Sequence, residues 1–371
     1  MHVAARCRLC QNTRVDSPKC RSFALTLGFV LVVACASTEG ATGGEPDAGG
    51  VGGTGATGAT GGGGSGGSGG LVVDAPGDGP FVGSSLVYAH TDTVLFQVDP
   101  TQAKPDLKQL GTFDCVGNGQ VDPAMTDVAV DKDGKLWGIS HTQIHVLEIQ
   151  GQVVHCATSV PLDNPADVKF YALTFAPVGV LDPALEVLVA GNTAGELWAI
   201  DAQGKLSEVG SFGNVPGNDG NGNTYPVTNM GKPWELSGDI VFVENGGNPI
   251  GFATVRDCPD PPTTTNCSKT DTLLEIDVPK LASAGSSSVT KAVRGQIVKK
   301  AGCNDGVTGT YGSMYGITTW GDKVYGFSRI GNLVEIDTND GSACLLSAYT
   351  GADFGGAGVT TKAVVVPPPP K

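Results

Sequence analysis

Asp127 and Asp239 stand third in two runs of alternating apolar character, MTDVAV from Met125 and SGDIVFV from Ser237. Tyr171 and Tyr315 stand at or near the heads of two more, YALTFAP and MYGITTW. Two carboxyls brought to one place can share a proton, hold a cation, or act as acid and base across a glycosidic bond. The simpler use of an aspartate at a strand end is to accept backbone N–H groups. Other chemistry-bearing residues are less organised. His141 and His145 lie in an adjoining turn and strand without metal-ligand spacing, and read as exposed. Asp219-Gly-Asn221-Gly-Asn223 spaces its oxygens as a calcium loop begins, yet Thr224 takes the place of the required glycine and Met230 that of the bidentate Glu. It reads as a Gly/Asn surface loop. No Gly-x-Ser-x-Gly elbow, HExxH pair or phosphate loop occurs, so no cofactor or resident metal is expected.

The elements that must position these residues form a repeat. MTDVAVDKDGKLWGISHTQIHVLEI from Met125 and MYGITTWGDKVYGFSRIGNLVEI from Met314 share one plan: short alternating runs joined by Gly, Asp or Asn turns. That is the hairpin signature. Looser copies begin at Tyr171 (YALTFAP, EVLVAGN, ELWAIDA, LSEVGSF) and Ser237 (SGDIVFV, PIGFATV, DTLLEID, GQIVKKA). A fifth copy is split, with SLVYAHT, TVLFQVD and LKQLGTF at its start and GVTTKAVVV, Gly358 to Val366, supplying its first strand from the far end. Four-stranded units packed radially bury both faces and shorten their exposed edges. The expected fold is all-β: a five-bladed β-propeller with four-stranded blades, its ring closed by N- and C-terminal strands. The units resemble the loose repeats of YVTN-type and NHL-type β-propellers across most of residues 83–366, without a WD dipeptide signature. A pair of β-sandwiches is the rival architecture, and it leaves the matched cysteine spacing unexplained.

Surplus length falls in two loops, Asn214 to Glu235 and Cys258 to Cys267, which a propeller would present on one face. Long loops on a rigid scaffold are the default place for binding. The candidate ligand-binding set is Asp127, Tyr171, Asp239 and Tyr315 as a floor, with Trp234 as an exposed rim aromatic.

Cys115 and Cys156 are 41 residues apart, and so are Cys303 and Cys344. Together with the short Pro/Thr loop between Cys258 and Cys267, this predicts the pairs Cys115–Cys156, Cys258–Cys267 and Cys303–Cys344. An even set of cysteines suits an exported chain.

The N-terminus agrees. Phe23 to Ala34 (FALTLGFVLVVA) is apolar, follows Arg14, Lys19 and Arg21, and is short for a membrane span. Its exit, LVVAC from Leu31 to Cys35, resembles the lipobox of bacterial lipoproteins. The resemblance implies acylation of Cys35, which becomes the mature N-terminus. With Ala36 and Ser37 following, and no Asp, it implies the outer membrane. Gly40 to Gly70 has almost no apolar side chain to bury and reads as a tether of roughly 30 Å rms span. The expected organisation is a signal peptide over 1–34, a lipidated Cys and Gly-rich linker over 35–80, a propeller over 81–366 and a Pro-rich tail over 367–371.

Without the leader, 18 basic residues face 36 acidic ones, a net charge of −18. Such a surface repels phosphate backbones and excludes nucleic acid as a partner. The expected protein is a monomeric, membrane-anchored, non-enzymatic binding module facing the periplasm or the exterior, with a protein, glycan or small molecule as ligand. The alternative is a hydrolase or lyase on an extracellular glycan or polymer. Five-bladed glycosidase propellers place paired carboxylates at a central funnel, and Asp127 with Asp239 would be the pair here.

Overall fold

The computed structural model describes residues 87–363 apart from 165–167, 246, 259–266, 309 and 322. The leader, Cys35, the Gly-rich segment and the proline tail lie outside the described residues. All described residues belong to the second of two compact units, Gly67–Lys371.

Five consecutive hairpin sets are present in chain order among the described residues. The first set has only three strands of its own: β1 (Val87–His90), β2 (Val94–Val98) and β3 (Leu107–Phe113). Then come β4 (Met125–Val130), β5 (Leu136–Ser140), β6 (Gln143–Gln150) and β7 (Val153–Pro161). The next set is β8 (Phe170–Ala176), β9 (Val187–Asn192), β10 (Glu196–Ile200) and β11 (Leu206–Ser211). It is followed by β12 (Trp234–Val243), β13 (Ile250–Asp257), β14 (Thr272–Ile276) and β15 (Thr290–Gln296). Last are β16 (Met314–Trp320), β17 (Lys323–Ser328), β18 (Asn332–Ile336), β19 (Ala343–Ala348) and a short final strand, β20 (Gly356–Gly358).

Three sets form separate four-stranded antiparallel sheets. The remaining strands form one eight-stranded sheet in the order β20-β1-β2-β3-β7-β6-β5-β4. Within it two antiparallel groups meet at a parallel pair, Thr112 with Val153 and Phe113 with Val154. Strands β4, β8, β12, β16 and β20 contact one another in cyclic order. The fold is therefore propeller-like, with the first strand of each four-stranded set, and β20 beside the three-stranded one, at the axis.

Burial follows that placement. Every residue of β4 is buried, whereas in β7 Val154 alone is buried and the rest are half-buried or exposed. An axial strand is covered on both faces and needs apolar or small residues throughout; an outer strand needs only one covered face. The outer strands are joined by parallel bridges, Ser211 with Ser288 and Lys299 with Ala343, besides the β3–β7 pair. Disulfides cross-link two of these outer seams, Cys115–Cys156 and Cys303–Cys344, with Cα separations of 5.9 and 5.8 Å. Cys258–Cys267 closes the loop between β13 and β14. All three pairs match the spacing argument.

The closing strand is a correction. The valine-rich run from Gly358 was expected to pair with β1, but the strand that pairs is β20, with Tyr88 opposite Gly358 and His90 opposite Gly356. Crowding at the axis is the reason. A Cβ on Gly316 would fall 2.7 Å from the Ala357 nitrogen, and one on Gly356 would collide with Asp127 Oδ1 and His90 Nε2. Only glycine lets these backbones approach so closely. Residues 364–366 of the expected strand lie outside the described residues.

Candidate functional site: a tyrosine-lined depression over a buried acid pair

Each axial strand from β4 to β16 carries a register break near its start. The breaks fall between Met125 and Asp127, Phe170 and Ala172, Leu236 and Ile240, and Met314 and Gly316. A bulge leaves one residue unpaired and re-aims its side chain. In three strands that residue is Thr126, Tyr171 or Tyr315, and all three line one depression of about 260 Å³. The hairpin tips complete it with Asp92 from β1–β2, His141 from β5–β6 and Arg329 from β17–β18.

Arg329 organises the wall. Its guanidinium lies 4.6 Å from the Tyr315 ring centre, and Nη1 reaches Asp92 Oδ1 at 3.0 Å and Asp353 Oδ1 at 3.3 Å. The His141 ring meets Tyr171 edge-on at 5.6 Å. Burial, then the nearby Tyr315, pushes the Tyr171 hydroxyl above its usual pKa, so it stays a neutral donor. Burial, then Lys169, lowers that of His141, leaving a neutral imidazole. A second depression of about 380 Å³ adjoins the first through His141 and is lined by Val121, Thr142, Leu162 and Lys169. Aromatic faces, hydroxyls, an imidazole and a charged fork suit reversible recognition of a polar ligand.

Asp127 and Asp239 are close to this surface in sequence but sit beneath it, fully buried. They do not form its floor, which is a correction. The carboxyls lie within hydrogen-bonding reach of each other. Asp127 Oδ2 accepts the Leu173 amide from β8. Asp239 Oδ1 accepts Ile240 N–H at 2.6 Å, and Oδ2 accepts Ile317 N–H from β16 at 3.0 Å. Burial raises both carboxyls well above the usual range, and two carboxylates this close do not both ionise readily. Ala172, Gly316 and Gly356 occupy the intervening axial strands, and a Cβ on Gly356 would strike Asp127.

Trp234 is also corrected. It begins β12 and is 1 % exposed, with its ring edge-on to Tyr225 at 5.2 Å. The long loop folds back so that Val215, Tyr225 and Trp234 join the core formed between the β8–β11 and β12–β15 sheets. Burying so large an aromatic anchors a loop that exposure would leave loose. Asp219 in the same loop turns its oxygens inward, accepting Asn221 and Asn223 amides at 3.0 and 2.8 Å, as the surface-loop reading requires. His145, expected to be exposed, is buried between Ser140 and Ser159 at 3.0 and 2.8 Å.

Sequence reasoning found Tyr171 and Tyr315 and missed Arg329, Asp92 and Thr126. Their positions on hairpin tips and at a bulge were the available signal.

No family model matches the chain, and no curated protein matches it. Among solved structures it is similar to a protein of unknown function from Bacteroides caccae, at 10 % identity and TM-score 0.35, over 74 % of this chain and 99 % of that one. It is also similar to the Dos1 propeller, at 10 % identity and TM-score 0.30, over 70 % of this chain and 56 % of that one. Likenesses this distant carry no argument. The propeller-like class rests on strand order and axial contacts.

Proposed function

We propose that this chain is a bacterial outer-membrane lipoprotein whose five-bladed, YVTN/NHL-like β-propeller is a non-enzymatic binding module, with its ligand seated in the Tyr171–Tyr315 depression. The observation that carries the reading is the convergence of three bulged residues from separate axial strands, with Arg329, on one concave place. Counting β20 with β1–β3 supports five blades, because every axial strand then heads a four-stranded unit. The lipobox-like LVVAC and the Gly-rich stretch behind it support a tethered anchor. The strongly acidic domain favours a neutral or cationic ligand: a glycan, a peptide or a small polyol. A hydrolase would need Asp127 and Asp239 at a surface, and both are buried.

A glycan and peptide array probed with the mature chain tests the binding reading. A defined class of binders is expected, with affinity falling at least tenfold, about 1.4 kcal/mol, in Tyr171→Ala and Arg329→Ala. Binding indifferent to both substitutions would move the site elsewhere. In the same cells Cys35→Ala should release the protein from membranes; a wild type that is already soluble would end the anchor reading.

A further inference from the structure

The buried acids and the tyrosines of the depression are linked by matching hydrogen bonds. Asp127 on β4 accepts the amide of Leu173, two residues beyond Tyr171 on the next axial strand. Asp239 on β12 accepts the amide of Ile317, two residues beyond Tyr315 on the strand after it. Each carboxyl thus ties down the backbone segment that carries one tyrosine.

The two acids differ in one respect. Both oxygens of Asp239 are engaged by amides. Asp127 Oδ1 has no hydrogen-bond partner among the described residues, and neither has His90 Nε2, which faces it at 3.6 Å. His90 Nδ1 contacts the Thr91 carbonyl at 2.9 Å, and a carbonyl only accepts, so the ring proton is on Nδ1. Nε2 therefore presents a lone pair to Oδ1. Two lone pairs facing each other in a site sealed from water are unfavourable, and a second carboxylate alongside makes them more so. Among the described residues the pair belongs to no group of three metal-ligating side chains. A proton fits.

We propose that Asp127 and Asp239 are positioning residues for Tyr171 and Tyr315, and that a proton on Asp127 Oδ1 keeps the pair, and with it both tyrosines, in place. The groups facing the pair are His90 from β1, the Val128 and Ile240 amides of the acids' own strands, the Leu173 amide from β8, the Ile317 amide from β16 and the Ala357 amide from β20. Asp92 and Arg329 act on His90 from the rim. Loss of the proton to solvent leaves two carboxylates at the axis, and their repulsion pulls on the Leu173 and Ile317 amides. The functional significance rests on reading the depression as the ligand site; the positioning does not.

The test is NMR of the full mature chain labelled on its tyrosine rings, with Tyr171→Phe and Tyr315→Phe used for assignment. In the wild type both resonances should shift together with one midpoint, above the ordinary carboxylate range and below tyrosine ionisation. Asp127→Asn puts an uncharged NH2 where the proton resides and should abolish the shift. Asp239→Asn replaces an oxygen that an amide needs, and should displace the resonances at every pH. An unchanged pH shift in Asp127→Asn, or resonances that ignore pH while melting temperature follows it, would overturn the proposal. A failed array beside a normal pH shift would remove the ligand reading and leave the positioning intact.

Discussion

At position 127 of β4 the side chain is a sealed carboxyl, while at position 126, one residue back, a threonine lines an open depression. The same step separates Ala172 from Tyr171 and Gly316 from Tyr315. Around the axis the five strands carry Asp127, Ala172, Asp239, Gly316 and Gly356 in turn, so that each acid has small residues on the strands beside it. On the face, the bulges of β4, β8 and β16 each turn one side chain toward the depression. The lesson is that axial substitutions should cost folding and facial ones should cost binding.

Gly356→Val should show the largest effect. Its side chain would strike both Asp127 and His90, and overpacking of a tight core costs about 1–3 kcal/mol or more. Urea unfolding should register that loss, and a neutral result would mean that the axis is looser than described.

The pH dependence of stability comes next. Burial holds the acid pair's pKa above the unfolded value, so the folded chain binds the proton more tightly. Stability from this source is complete below about pH 4. It declines as pH rises, by up to about 1.4 kcal/mol per pH unit, until the folded pair ionises. Subtracting the unfolding free energies of Asp127→Asn from those of the wild type between pH 4 and 9 isolates the slope. A difference that grows the other way would reverse the sign of the argument.

Arg329→Ala should have the smallest effect on stability, below about 1 kcal/mol, because its partners Asp92 and Asp353 are exposed. A melting shift as large as that of Gly356→Val would erase the distinction between axis and face.

Much of the frame was legible in the sequence because hairpin turns and alternation are local signals. Axial strands were expected from positions 125, 171, 237 and 314, and they begin at 125, 170, 234 and 314. The equal cysteine spacings named their partners. The closing strand was misplaced because strand signals reward β-branched residues, whereas the axis admits only Gly-Ala-Gly there. Trp234 was misread because the packing of a loop against distant strands leaves no periodicity. Arg329 and Asp92, 237 residues apart in the chain, meet only once the ring closes. The equivalence of Asp127 with Asp239 and of Tyr171 with Tyr315 was visible. That one pair lies beneath the other was not, because burial at an axis depends on all the strands at once.

The disulfide between Cys115 and Cys156 also bears on how the domain responds to mechanical load. A pull arriving from the N-terminal side enters at β1, which is held by hydrogen bonds to β20 and β2 alone. Peeling could release β1, β2 and β3 in turn, fewer than about 30 residues, or roughly 100 Å of extended chain. It would then reach Cys115, whose covalent link into β7 passes the force to a strand in the neighbouring set. Below the force that breaks a covalent bond, stretching from that end should stop there, leaving the strands beyond to refold around an intact seam.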